Sequence, residues 1–113
     1  MMSRVQTKQD DLGFVSVNEV RLCGRVSGDA IERVLPSGDC VVTWRVVVAR
    51  QTSPGVDTID CAAWSAALRR RAVKLVDGHE VEVTGALRRR FWRGATGAAS
   101  RYEVEVASLH RLN

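Results

Sequence analysis

The 113-residue sequence predicts an all-β domain that carries a single α-helix. Three observations lead there. Apolar residues recur with a period of two in five separate runs, only one stretch has the 3.6-residue stripe of an amphipathic helix, and clusters of Gly, Pro, Asp and Ser punctuate the runs. With 45% hydrophobic residues the chain can bury one core without disulfides or metal, and it is too short for several domains.

Residues 1–13 are polar and are expected to form a loose arm ahead of a domain spanning residues 14–113. Over residues 15–26, Val20, Leu22, Gly24 and Val26 alternate with Glu19, Arg21, Cys23 and Arg25, which makes a first strand apolar on one face and charged on the other. A turn-rich stretch holding Gly28, Asp29 and Pro36-Ser37-Gly38-Asp39 leads to a β-branched second strand, residues 41–49. There Val42, Trp44, Val46 and Val48 share the inward face, opposite Thr43, Arg45 and Val47. After a short connection with Pro54-Gly55, residues 57–64 form a third strand with Ile59, Cys61 and Ala63 on one side and Thr58, Asp60, Ala62 and Trp64 on the other.

Ser65 is the expected N-cap of the helix, whose stripe runs through Leu68, Ala72, Val73, Leu75 and Val76 until Asp77-Gly78 stops it. A long fourth strand, residues 79–93, turns Val81, Val83, Gly85 and Leu87 inward and Glu82, Thr84, Ala86, Arg88, Arg90 and Trp92 outward. Residues 94–100 read as a small-residue hairpin loop, and residues 101–109 as a fifth strand with Tyr102, Val104 and Val106 alternating against Glu103 and Glu105. Three strands, one helix and two strands in so short a chain are met most economically by a five-stranded Greek-key barrel, the OB-fold, with its helix between strands three and four. A parallel α/β sheet would need more than one helix, and an SH3-like barrel has no place for this one.

Catalysis is not indicated, because His79 and His110 lie at strand ends with no nucleophile suggested beside them, and no phosphate-binding glycine loop or metal-spaced acidic cluster occurs. No cofactor is expected. Cys23, Cys40 and Cys61 are odd in number and form no CxxC pair, which fits a reduced, cytoplasmic protein. Cys61 is inward, Cys40 sits beside a turn, and Cys23 faces outward, where a subunit interface is the alternative. No run approaches the roughly 20 apolar residues of a membrane span.

The net charge is +4, and fifteen of the seventeen basic residues are Arg. The bias reads either as GC-rich coding or as a demand for guanidinium chemistry, and the net charge points to a polyanionic partner. The most informative stretch is Arg88-Arg89-Arg90-Phe91-Trp92-Arg93, continued to Arg101, since residues 88–101 hold five Arg and no acid. Alternation places Arg88, Arg90 and Trp92 on one outward face, where guanidinium groups neutralise phosphates and an exposed indole stacks on unpaired bases. The plain alternative is a solubilised edge strand with Trp92 packed under the loop. Trp64 is a second outward aromatic or a contact that caps the helix, Trp44 belongs to the core, and Phe91 is assigned to the core or to a dimer contact. Arg69-Arg70-Arg71 with Lys74 is a second basic cluster on the polar side of the helix.

These residues resemble the bacterial single-stranded DNA-binding proteins. The matching pieces, in order, are Asn18-Glu19-Val20-Arg21-Leu22-Cys23-Gly24-Arg25, Pro36-Ser37-Gly38, Val46-Val47-Val48-Ala49-Arg50 and Asp60-Cys61-Ala62-Ala63-Trp64. Gly78, Gly85, Leu87-Arg88-Arg89-Arg90-Phe91-Trp92 and Arg101-Tyr102-Glu103-Val104 complete them. The resemblance implies that Trp92 is the base-stacking aromatic of strand four, Trp64 the aromatic closing strand three, and Arg88 and Arg90 backbone contacts. It also implies assembly into homodimers or homotetramers. The sequence departs from the family at Thr58, at the aromatic-free residues 51–56, and at Asp57 and Asp60, acids close to the binding face. With no acidic tail after Asn113, it reads as a short paralogue, for which a tailed paralogue is an expected partner.

The expected function is therefore non-enzymatic, sequence-tolerant binding and protection of single-stranded DNA in replication, repair or recombination, in the cytoplasm at the nucleoid. Trp92, Arg88, Arg90 and Arg93 are the principal residues and Trp64 the next, with Arg101 continuing the cluster and Arg21, Arg25, Arg45 and Arg50 as backbone contacts. The alternatives are a protein-interaction subunit with weak DNA binding, and a single-stranded RNA-binding module.

Overall fold

The computed structural model describes residues 8–9 and 13–113. Strands β1 (Lys8–Gln9) and β2 (Val15–Ser16) pair with each other alone. Then come β3 (Val20–Val26), β4 (Ile31–Val34), β5 (Cys40–Ala49), β6 (Val56–Ala63), helix α1 (Ala66–Ala72), β7 (Glu80–Gly94) and β8 (Gly97–Arg111). The expected arm over residues 1–13 falls largely outside the described residues. The larger sheet has the order β3-β7-β8-β6-β5-β4, and a further pairing of β3 with β5 rolls it into a barrel. Among the described residues only β6 and β8 run parallel, over two residue pairs. This is the all-β OB fold, with its helix between the third and fourth barrel strands, β6 and β7.

Two glycines let the barrel close. A Cβ on Gly24 would lie 2.3 Å from the Val47 carbonyl oxygen, where β3 bends onto β5. A Cβ on Gly85 would lie 2.0 Å from the Glu105 carbonyl oxygen, beside the register shift between β7 and β8. Thr84 pairs with Ser108 and Gly85 with Val106, so Ala107 is an extra residue in β8. That bulge changes the parity of β8 and lets both Val106 and Leu109 enter the core. Around them pack Val26, Val42, Val46, Val81, Val83 and Val104, all essentially sealed from solvent, together with Trp44 as alternation requires.

Several expectations need correction. The stretch read as turns between the first two strands contains β4, a hairpin partner of β5. All four of its residues are exposed, so it shows no inward face to betray it. Residues 15–26 are not one strand: Asn18 leaves the ladder and its side-chain amide clamps Leu87, accepting from the backbone N–H at 2.9 Å and donating to the carbonyl at 2.7 Å. Ser65 caps α1 by accepting from the Leu68 N–H at 3.3 Å, but the helix ends at Ala72, well before Asp77. Val73 and Val76 are therefore exposed, while the tight turn from the Leu75 N–H to the Ala72 carbonyl swings Leu75 into the core. The seven-residue loop expected over 94–100 is only residues 95–96, because β7 and β8 stay paired up to Gly94 and Gly97. Leu87, expected inside, is 44% exposed because β3 pairs with β7 only as far as Gly85, and beyond it β7 and β8 project onward as an arm.

All three cysteines are free, with Cys61 buried, Cys40 half-buried and Cys23 exposed. Burial pushes the Cys61 thiol up to about 12, helped by the nearby carboxylates of Asp60 and Glu103. Among the described residues, no helix is long and apolar enough to cross a membrane.

Candidate nucleic-acid interface

Neighbouring residues of paired strands project to the same side, so the outer face of the sheet can be followed strand by strand. From β5 it carries Thr43 and Arg45, from β6 Thr58, Asp60 and Ala62, from β8 Arg101, Glu103 and Glu105, and from β7 Arg88, Arg90 and Trp92. A groove of about 650 Å³ opens on this face, lined by Thr43, Arg45, Thr58, Asp60 and Arg101 and by Asp29, Ile31 and Arg33 from the β4 side. Arg45 and Asp60 are register partners across its floor.

Arg88, Arg90 and Trp92 emerge together, as the sequence predicts, and Trp92 is 49% exposed rather than packed beneath a loop. Their setting is more acidic than the sequence suggests. Arg88 bonds Glu105 at 2.7 Å, Arg90 bonds Glu103 at 3.2 Å and lies 3.7 Å from Glu105, and Arg101 lies 3.6 Å from Glu103. Glu103 is only 4% exposed beneath its arginines. Three cations thus share two carboxylates, which fixes the guanidinium groups in place and leaves a small positive excess. Arg90 also covers Trp64, its guanidinium carbon 5.0 Å from the ring centroid. That indole is half-buried, and its Nε1 is buried without a partner, so Trp64 supports Arg90 on the face it presents.

The remaining predicted contacts are dispersed. Arg21 is ion-paired with Glu82 on the β3–β7 side, which raises its pKa. Arg50 pairs with Asp57 at 3.0 Å at the far end of the β5–β6 hairpin. Arg25 is exposed on β3 and does not line the groove. Arg93 has the parity of Arg89 and Phe91, so it stands on the opposite face of the arm from Trp92. Phe91, assigned to the core or to a dimer contact, is 69% exposed, which removes the core from those two readings. In the helix cluster, Arg71 donates to the Leu109 carbonyl and staples α1 to β8.

Sequence reasoning missed Ile31 and Arg33, hidden in a strand without alternation, and missed the carboxylates that bind the arginines. A signal for the latter was present. Gly94 and Gly97 bracket a two-residue turn, and the register it sets pairs Arg88 with Glu103 and Arg90 with Arg101.

The sequence model of the Single-strand binding protein family matches residues 17–112. The chain belongs to the single-strand binding protein family. Among solved structures, the Plasmodium falciparum SSB in complex with ssDNA is similar, with a TM-score of 0.75 and 21% identity over 87% of this chain and 96% of that one. Comparison with curated proteins finds no match. At that identity the likeness to the Plasmodium protein establishes a shared fold, and the family match over residues 17–112 agrees with the ordered motifs that run from Asn18 to Val104.

Proposed function

We propose that this family member binds single-stranded DNA, without sequence preference and without catalysis, along the outer face of the sheet. The observation that carries this reading is Trp92, half-exposed on the face where Arg88, Arg90 and Arg101 are held in place. An indole platform beside fixed guanidinium groups suits a strand whose bases are unpaired, since stacking needs a free base face and phosphates need cations. Duplex DNA offers only the second. Membership of the family and the ssDNA carried by the Plasmodium relative support the same ligand. Protection of exposed strands during replication, repair or recombination, in a cytoplasmic homo-oligomer, follows as the working role.

One observation favours a second reading, a protein-interaction subunit with weak DNA binding: the arginines of the site are already paired to Glu103 and Glu105. Trp92→Ala separates the two. If the indole stacks on bases, the variant binds oligo-dT and oligo-dC more weakly by ~1 to 3 kcal/mol with its circular dichroism unchanged. Equal affinity of variant and parent for both oligonucleotides would remove Trp92 from the site. An RNA competitor of equal length tests whether the 2′-hydroxyl matters.

A further inference from the structure

The β7–β8 arm has a second face. Beyond Leu87 the alternation that fills the barrel core continues into solvent and carries Arg89, Phe91 and Arg93 from β7, opposite Tyr102, Ser100 and Ala98 from β8. Phe91 is 69% and Tyr102 57% exposed. The Arg89 guanidinium lies between them, its central carbon 4.9 Å from the Phe91 centroid and 5.4 Å from the Tyr102 centroid, and it also bonds the Ser100 hydroxyl at 3.1 Å. No carboxylate occurs among these facing residues, and neither Arg89 nor Arg93 has an ion pair among the described residues.

The two faces of the arm therefore differ in charge. On the Trp92 face, carboxylates nearly balance the arginines; on the Phe91 face, two arginines and two rings stand with no acid. We propose that this second face is a further contact surface for single-stranded DNA, with Phe91 and Tyr102 stacking on bases and Arg89 and Arg93 meeting phosphates. The proposal deepens the function proposed above and rests on it. A second copy of the chain is the competing occupant, but burying Arg89 and Arg93 against another subunit would strand two cations without counter-charges, which interfaces avoid. A polyanion with aromatic bases supplies both missing partners at once. A strand reaching from the groove past Trp92 would have to pass round the arm to touch both faces, so the second face engages only longer ligands.

Photocross-linking tests this on the full chain. Oligo-dT substituted with 5-iododeoxyuridine is irradiated with the protein, and cross-linked residues are mapped by mass spectrometry, at lengths of about 8 nucleotides, within the ~4 to 16 usual for one OB fold, and about 30, well beyond it. In parallel, affinity and sedimentation are measured for Phe91→Ala/Tyr102→Ala, whose exposed rings can be removed without touching the core. The expected result is cross-linking of Phe91 or Tyr102 by the long oligonucleotide, with a loss of roughly tenfold in the variant's affinity for it and none for the short one. Cross-links confined to Trp92 and Trp64, with parental affinity in the variant, would overturn the second face and leave the proposed function standing. A variant that changes oligomeric mass while the parent yields no cross-link at either ring would give the face to a contact between copies and overturn the proposal. Failure of the parent to bind oligo-dT at all would overturn both.

Discussion

At the scale of single residues, the arginines beside Trp92 are held by carboxylates, and under the proposed function this sets how binding responds to charge. A phosphate approaching Arg88 or Arg90 displaces Glu105 from one of its partners rather than only releasing bound anions, so the site engages fewer free cations than its arginine count implies. Glu105→Gln should therefore bind oligo-dT more tightly at low salt and show a steeper decline with salt; a titration series with parallel slopes for variant and parent would contradict this. Cys61 makes a separate prediction about stability. Its folded pKa, about 12, lies above the ~8.5 of an unfolded cysteine, so over that interval the unfolded chain loses a proton the native state keeps. Its contribution is fully present below about pH 8.5 and is lost as pH rises toward 12, so the urea midpoint should fall between about pH 8 and about pH 10, less steeply in Cys61→Ala. The sequence supplied the parity of Cys61 and of Trp92. The partners of Arg90 were legible only through the register set by the turn between Gly94 and Gly97, which the seven-residue loop expected there would have set differently.

Among the elements, the β7–β8 hairpin carries most of the proposed site, and its geometry turns on one glycine. With the Glu105 carbonyl oxygen 2.0 Å from where a Cβ would sit, Gly85→Ala forces the strands apart at the bulge. The expected outcome is a large loss of stability, accompanied by faster amide exchange at Val83 and Leu109, whose pairing flanks the shift; a melting temperature equal to the parent's would show that the strands separate without cost. Helix α1 makes a smaller claim. Ser65→Ala should cost about 1 kcal/mol in chemical denaturation, since the Leu68 N–H loses its acceptor. Period-two alternation made β3, β5, β6 and β7 legible, because each buries one face. The same logic was silent for β4, which buries neither face and exists only as a hairpin partner. It overreached at Val73 and Val76, where a stripe drawn at helical spacing ran on after the backbone had turned.

For the whole molecule, a net charge of +4 is distributed so that the groove mixes Arg33, Arg45 and Arg101 with Asp29 and Asp60, while the arm concentrates the exposed rings. Under the proposed function such a surface relies on stacking more than on bulk charge, and stacking is what separates a single strand from a duplex. The barrel was legible as a whole because its element order admits few closed solutions at this length; the groove was not, because its walls come from β4, β5, β6 and β8 at once. The central claim is tested most directly by tryptophan fluorescence during titration with oligo-dT and with a duplex of equal nucleotide content, at low and high salt. Strong quenching by the single strand, little by the duplex, and weakening by salt is the predicted result. Equal response to the two ligands, or none to either at low salt, would contradict it.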